Sequence, residues 1–117
     1  MTDELKVYAD IAARELNTAS GGLLAEHLLT LSAAIGRVGS ILVYAEGNYL
    51  RAQRHHRDEA LRGTPDASEA RIAAYVKAQT VDEYLAFREA ETVLHSLHQA
   101  FKATQSALSY MKAELRT

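Results

Sequence analysis

Residues 23–61 read LLAEHLLTLSAAIGRVGSILVYAEGNYLRAQRHHRDEAL, and this stretch decides the fold. Leu24, Leu28, Leu31, Ile35, Val38, Leu42, Ala45, Tyr49 and Ala52 recur at alternating steps of four and three. That spacing keeps one apolar seam on one side of a long helix and resembles a coiled-coil seam. No proline interrupts it. The single proline in 117 residues, and six glycines confined to residues 21–63, exclude a chain built from frequent β-turns. The expected class is all-α.

Beyond that stretch, the turn Arg62-Gly63-Thr64-Pro65-Asp66 is the clearest punctuation. Gly63 suits a helix C-cap, Thr64 an N-cap and Pro65 a first helical position, so the turn is placed at 62–64 and the next helix at 65–115. So short a connection makes the two helices antiparallel. The later helix carries its own seam through Ala73, Val76, Thr80, Glu83, Phe87, Ala90, Leu94, Leu97, Phe101, Thr104, Leu108, Met111 and Leu115. Thr80-Val81-Asp82-Glu83 has capping-box form, and Glu83 on the seam would be costly to bury, so a bend near residue 80 competes with an unbroken rod of roughly 75 Å. A turn centred near residue 63 pairs residues whose numbers sum to about 126, placing Leu42 by Tyr84, Ile35 by Glu91 and Leu28 by His98.

Before the stretch, residues 3–16 form a short helix with Thr2 as N-cap, Asp3 and Glu4 at its positive end, and Leu5, Tyr8, Ile11, Ala12 and Leu16 on one face. Residues 17–22, Asn-Thr-Ala-Ser-Gly-Gly, read as a hinge. The first helix either continues the line of residues 23–61, setting Leu16 near Tyr110, or folds back on residues 25–47. Apolar residues cover more of the circumference of 23–43 than one partner helix can bury. The expected architecture is therefore one domain, a long antiparallel helical hairpin plus a short N-terminal helix, completed as a bundle by self-association. A second stripe, Ala25, Leu29, Ser32, Gly36, Gly39, Val43 and Gly47, is the proposed contact between copies. Glycine inside a helix costs about 1 kcal/mol, offset where helices approach closely; a kinked helix with tolerated glycines is the plainer alternative.

The composition is that of a soluble globular chain, 48% apolar and 24% charged. A formal charge of −2 gives no general attraction to nucleic acid or membranes. Lack of cysteine excludes disulfides, thiolate zinc sites and a thiol nucleophile. The acidic, amphipathic start is not a signal peptide, and no unbroken apolar run approaches about 18 residues, so a cytoplasmic protein without membrane contact is expected.

Three constellations carry candidate chemistry. His27, His95 and His98, with Glu91 and Glu26 nearby, have the residue types of a metal-binding bundle. The Glu91–His95 step is one residue longer than the Glu-x-x-His motif, however, and the histidines flank the seam as half-exposed polar residues do. No metal or other cofactor is expected. The hairpin tip gathers Arg51, Arg54, His55, Arg57 and Arg62, with His56, Arg71 and Lys77, against Asp58, Glu59, Asp66 and Glu69. Arg51, Arg54 and Arg57 could follow a phosphate backbone, with Tyr49 and Tyr75 stacking on bases. The cations outnumber the anions by only two, the balance of an ordinary solvated tip. Third, the serines lack a nucleophile elbow and no phosphate-binding glycine loop is present, so no catalytic residue is assigned and enzymatic activity is not expected.

The segments REAETVLHSLHQAFKATQSALSYMKAEL (88–115) and YAEGNYLRAQ (44–53) resemble small all-helical bacteriophage proteins. The shared features are an aromatic-and-basic run on one helix and a long last helix with Gln105-Ser106 and Lys112-Ala113-Glu114. The resemblance implies a phage or prophage origin and action by binding, and it carries over no functional residue. The expected function is thus a non-enzymatic helical interaction module, an adaptor, assembly factor or inhibitor of a protein partner. Nucleic-acid binding at the basic tip is the alternative, and a metal-binding bundle the second.

Overall fold

A computed structural model describes residues 1–16 and 20–115. Four helices follow in order: α1 (Asp3–Ala13), α2 (Gly21–Gly63), α3 (Glu69–Gln79) and α4 (Val81–Leu115), with no strand among the described residues. α2 runs out, and α3 with α4 runs back beside it, giving the antiparallel hairpin. The molecule measures 73 × 25 × 17 Å with a radius of gyration of 20.7 Å. A compact chain of this length would have a radius near 13 Å. The shape is a rod.

The seam of α2 is the buried one. Leu24, Leu31, Val38 and Ala45 are buried, with Leu28, Ile35, Leu42, Tyr49 and Ala52 half-buried between them. Opposite them Val76, Thr80, Ala90, Leu97 and Thr104 are buried. Ala73 and Leu115, assigned to the second seam, are exposed, while Ile72 and Val93 are buried in addition. Glu83 stays half-exposed, so its carboxylate keeps water.

α1 folds back. Thr2 caps it as expected, its Oγ1 accepting from the Leu5 amide at 3.2 Å, but the helix stops at Ala13 instead of residue 16. It lies along both α2 and α4, and Leu5 enters a cluster with Leu31, Ala34, Val38, Ala90, Val93 and Leu97. Ala34 and Ala90, 3% and 0% exposed, are the small side chains that let three helices come together. Arg37 Nε donates to Glu4 Oε1 at 2.7 Å, and the α-amino group of Met1 stands 3.3 Å from Glu89, so ion pairs fasten the start of α1 to each long helix. The three-helix bundle is therefore made within one chain.

Several expectations need correction. The hinge at 17–22 lies partly on residues 17–19, outside the described residues; Gly21 and Gly22 form the first turn of α2, capped by the Ser20 hydroxyl. Gly63 is the last residue of α2 and Thr64 its C-cap, Pro65 sits in a turn, and the next helix begins at Glu69 behind the N-cap Ser68. The connection is thus centred on residue 66, not 63, which raises the sum of partner numbers to about 132. Tyr84, expected beside Leu42, packs instead on Tyr49, one heptad nearer the tip, with ring centroids 5.5 Å apart. The helix is interrupted at residue 80, but Thr80 makes no capping box: its hydroxyl donates back to the Val76 carbonyl at 2.8 Å.

Around Gly36 and Gly39 the second stripe meets no other helix among the described residues. A Cβ built on Gly36 or Gly39 would have nothing within 4 Å, and Leu29 and Val43 are 73% and 70% exposed. α1 folds back onto the first seam and leaves this face open. The expectation that no stretch is long and apolar enough to span a membrane needs correction. Averaged over 18 residues, α2 is long and apolar enough to cross a membrane, with a mean hydropathy of 1.6 and 22% of the window buried. Counting unbroken runs missed this because Arg37 interrupts the apolar sequence.

If the shared cluster holds the rod together, Leu97→Ala should cost about 2–5 kcal/mol in urea unfolding, as a buried leucine does. Leu115→Ala, at a site 87% exposed, should stay within about 0.5 kcal/mol of the parent. Equal effects at the two sites would contradict this placement of the core.

Candidate functional site

The tip of the hairpin, beyond the reach of α1, is where polar, aromatic and apolar groups converge. The helical backbone is interrupted at Thr80 (φ −115°, ψ 22°), and Val81, Tyr84 and Leu85 just past it are 44–49% exposed. Between this interruption and α2 lies a groove of about 890 Å³. Its floor is Tyr49, Val76, Val81, Tyr84 and Leu85, and Arg54, Arg57 and Lys77 stand around it.

Local contacts order the floor. Gln53 Nε2 donates to the Tyr49 hydroxyl at 3.0 Å, and the Tyr49 ring lies between Tyr84 and Phe87, the latter nearly parallel at 6.0 Å. Offset aromatic pairs of this kind contribute about 0.5–1.5 kcal/mol beyond their burial. Tyr49 is thus a structural part of the wall, not a ring free to stack on bases.

Among the described residues, Arg57 is the one arginine of the tip held in an ion pair; Arg51 and Arg62 bond neutral acceptors. Arg51 donates to Asn48 Oδ1 at 2.7 Å, Arg57 to Glu69 at 2.9 Å across to α3, and Arg62 Nε to the Asp58 carbonyl at 3.4 Å. His55 pairs with Glu59. Of the five residues assigned to partner contact, Arg54 and Arg57 face the groove, joined there by Lys77. No ion pair engages Arg54 or Lys77 among the described residues. The groove is therefore apolar with two uncompensated cations on its margin. Sequence reasoning named both cations but not the floor, because the floor joins residues of α2, α3 and α4.

Beside the groove, Glu59 is the hub of a polar cluster. The Tyr75 hydroxyl donates to it, His56 Nδ1 lies 3.4 Å from its Oε1 and His55 Nε2 3.6 Å from its Oε2. The Tyr75 hydrogen bond, then the one from His56, lower the Glu59 pKa; the same Tyr75–Glu59 bond raises that of the phenol. Tyr75 is committed to this bond and to the His56 ring, with centroids 6.4 Å apart, and is not a free base-stacking platform.

The three histidines weighed as a metal set are not brought together, and His27 is buried instead of half-exposed as expected. His27 is 6% exposed, in the wall of a cavity shared with Arg14, Glu15, Ala100, Ala103 and Thr104, while His95 and His98 are exposed on α4. Among the described residues, three ligand-bearing side chains converge instead at His55, His56 and Glu59.

No family model, curated protein or solved structure matches this chain.

His27 gives the tertiary structure a pH dependence. Its Nδ1 is buried without a hydrogen-bond partner, and burial, then the charge of Arg14, lower its pKa from 6.5. The native state binds this proton more weakly than the unfolded chain, so its protonation opposes folding. The melting temperature should be insensitive to His27 above about pH 7. It should fall as the pH drops from 6.5 toward the lowered native value. His27→Leu should flatten this part of the profile relative to the parent. An identical acid slope in both proteins would show that His27 is not the cause.

Proposed function

We propose that the protein is a non-enzymatic helical interaction module that receives an acidic, apolar segment of a protein partner in the groove at the hairpin tip. The observation that carries this reading is the pairing of an apolar, partly aromatic floor with the uncompensated cations Arg54 and Lys77. An amphipathic helix laid in such a groove would bury its apolar side, and carboxylates flanking it would meet the two cations. An adaptor, assembly factor or inhibitor would each use such a surface.

The second part of the reading is self-association through the open face of α2, centred on Ser32, Gly36, Gly39, Val43 and Gly47. Its support is the exposure of Leu29 and Val43 beside glycines that present bare backbone. We assign this face to another copy instead of a bilayer because the Arg37–Glu4 pair stands within the apolar stretch. A charge at mid-membrane costs about 2.5–3.5 kcal/mol. Nucleic-acid binding is the weaker alternative, since Arg57, one of the three arginines in that row, is already ion-paired with Glu69.

Fluorescence anisotropy with a labelled amphipathic peptide bearing Leu and Phe on one face and Glu on its flanks tests the tip. Saturable binding should weaken at least about tenfold in Arg54→Glu/Lys77→Glu, a loss of about 1.4 kcal/mol or more. Failure of the parent protein to bind the peptide, or binding indifferent to the double substitution, would overturn the reading. Preferential binding of a single-stranded oligonucleotide, lost in Arg51→Ala/Arg54→Ala/Arg57→Ala and steeply weakened by salt, would promote the alternative. For the α2 face, light scattering should show a smaller species for Gly36→Leu than for the parent. A parent protein that is monomeric at all concentrations would remove self-association.

A further inference from the structure

The cluster at His55, His56 and Glu59 has a geometry that surface ion pairing alone does not require. His55 and His56 precede Glu59 on α2 by four and three residues, so each reaches its carboxylate from the same helix. His56 Nδ1 and His55 Nε2 lie 3.4 and 3.6 Å from the two oxygens of Glu59, and all three donor atoms fall within 4.8 Å of one another. Two donors bound tetrahedrally at about 2.0–2.1 Å are roughly 3.3–3.4 Å apart. The carboxylate is also fixed from outside by the Tyr75 hydroxyl of α3, the kind of hydrogen bond that orients a ligating group. Without a metal, the same contacts amount to weak surface ion pairs.

We propose that His55, His56 and Glu59 form a binding site for a borderline divalent transition metal, zinc being the probe. Two imidazoles and a carboxylate are a donor set of three-ligand zinc sites, which leave one position to water or to a donor from a docked molecule. His55, whose side chain is 64% exposed, is free to turn and close the triangle. None of the three residues lines the groove, so the site stands or falls separately from the tip reading. Tyr75 would act as a positioning residue that holds Glu59 and links α2 to α3.

Isothermal titration of the chelator-treated full chain with Zn²⁺ at neutral pH tests the site. One equivalent should bind with micromolar affinity. His56→Ala and Glu59→Gln should each weaken it at least tenfold, and Tyr75→Phe by less. A His95→Ala/His98→Ala protein should bind as the parent does. All five substituted positions are at least partly exposed, so circular dichroism should show the helices unchanged. Absence of saturable binding by the parent, or binding undiminished in both His56→Ala and Glu59→Gln, would overturn the proposal.

Discussion

Insertion of Leu5 between α2 and α4 is the contact on which the architecture depends. Two helices packed along one seam expose most of their surface, and a rod 73 Å long pays that cost over its whole length. α1 changes the balance locally: around Leu5, the side chains of Leu31, Val38 and Leu97 become fully enclosed. Burying a leucine contributes about 1.5–3 kcal/mol, so one short helix with a single deeply buried anchor has a large effect on a chain of marginal stability. The Arg37–Glu4 pair is exposed and adds register more than energy.

α1 covers only part of the rod, and the molecule is consequently built in two zones. In one, three helices share a core of leucine, valine and alanine. In the other, α2 faces α3 and the start of α4 alone, contact is made through Tyr49, Tyr84 and Phe87, and the backbone breaks at Thr80. The groove lies there, in a section of two helices with no third element packed on it. The enclosed zone thus holds the hairpin closed, and the open zone presents the groove and the polar cluster.

The residues explain which parts of this were legible beforehand. The four-three spacing from Leu24 to Ala52 survives intact because burial on one side of a helix is a property of period alone. Thr2 was legible because a side-chain oxygen ahead of two acids has one cheap use, the cap. The register was not, since it hangs on a loop in which Pro65 fits a helix start by type yet lies in a turn, with Ser68 taking the cap. Moving the turn centre by three residues displaced Tyr84 by a heptad without changing its face. The fold-back of α1 depends on Ala34 and Ala90 leaving room, which no local signal announces. The candidate site divides in the same way: Arg54, Arg57 and His55 are conspicuous as charges, whereas the groove floor and the Glu59–Tyr75 contact join residues on separate helices.

Native-state hydrogen exchange, followed residue by residue, addresses the two-zone organisation most directly, because it reads local opening free energies along every helix. Amides at 31–45 and 90–101, beneath and beside α1, should exchange slowest and only by global unfolding. Those at 53–80, around the tip, should exchange faster through local opening. Slowest exchange at the tip, or uniform protection from end to end, would contradict a rod whose stability is concentrated where α1 seals it.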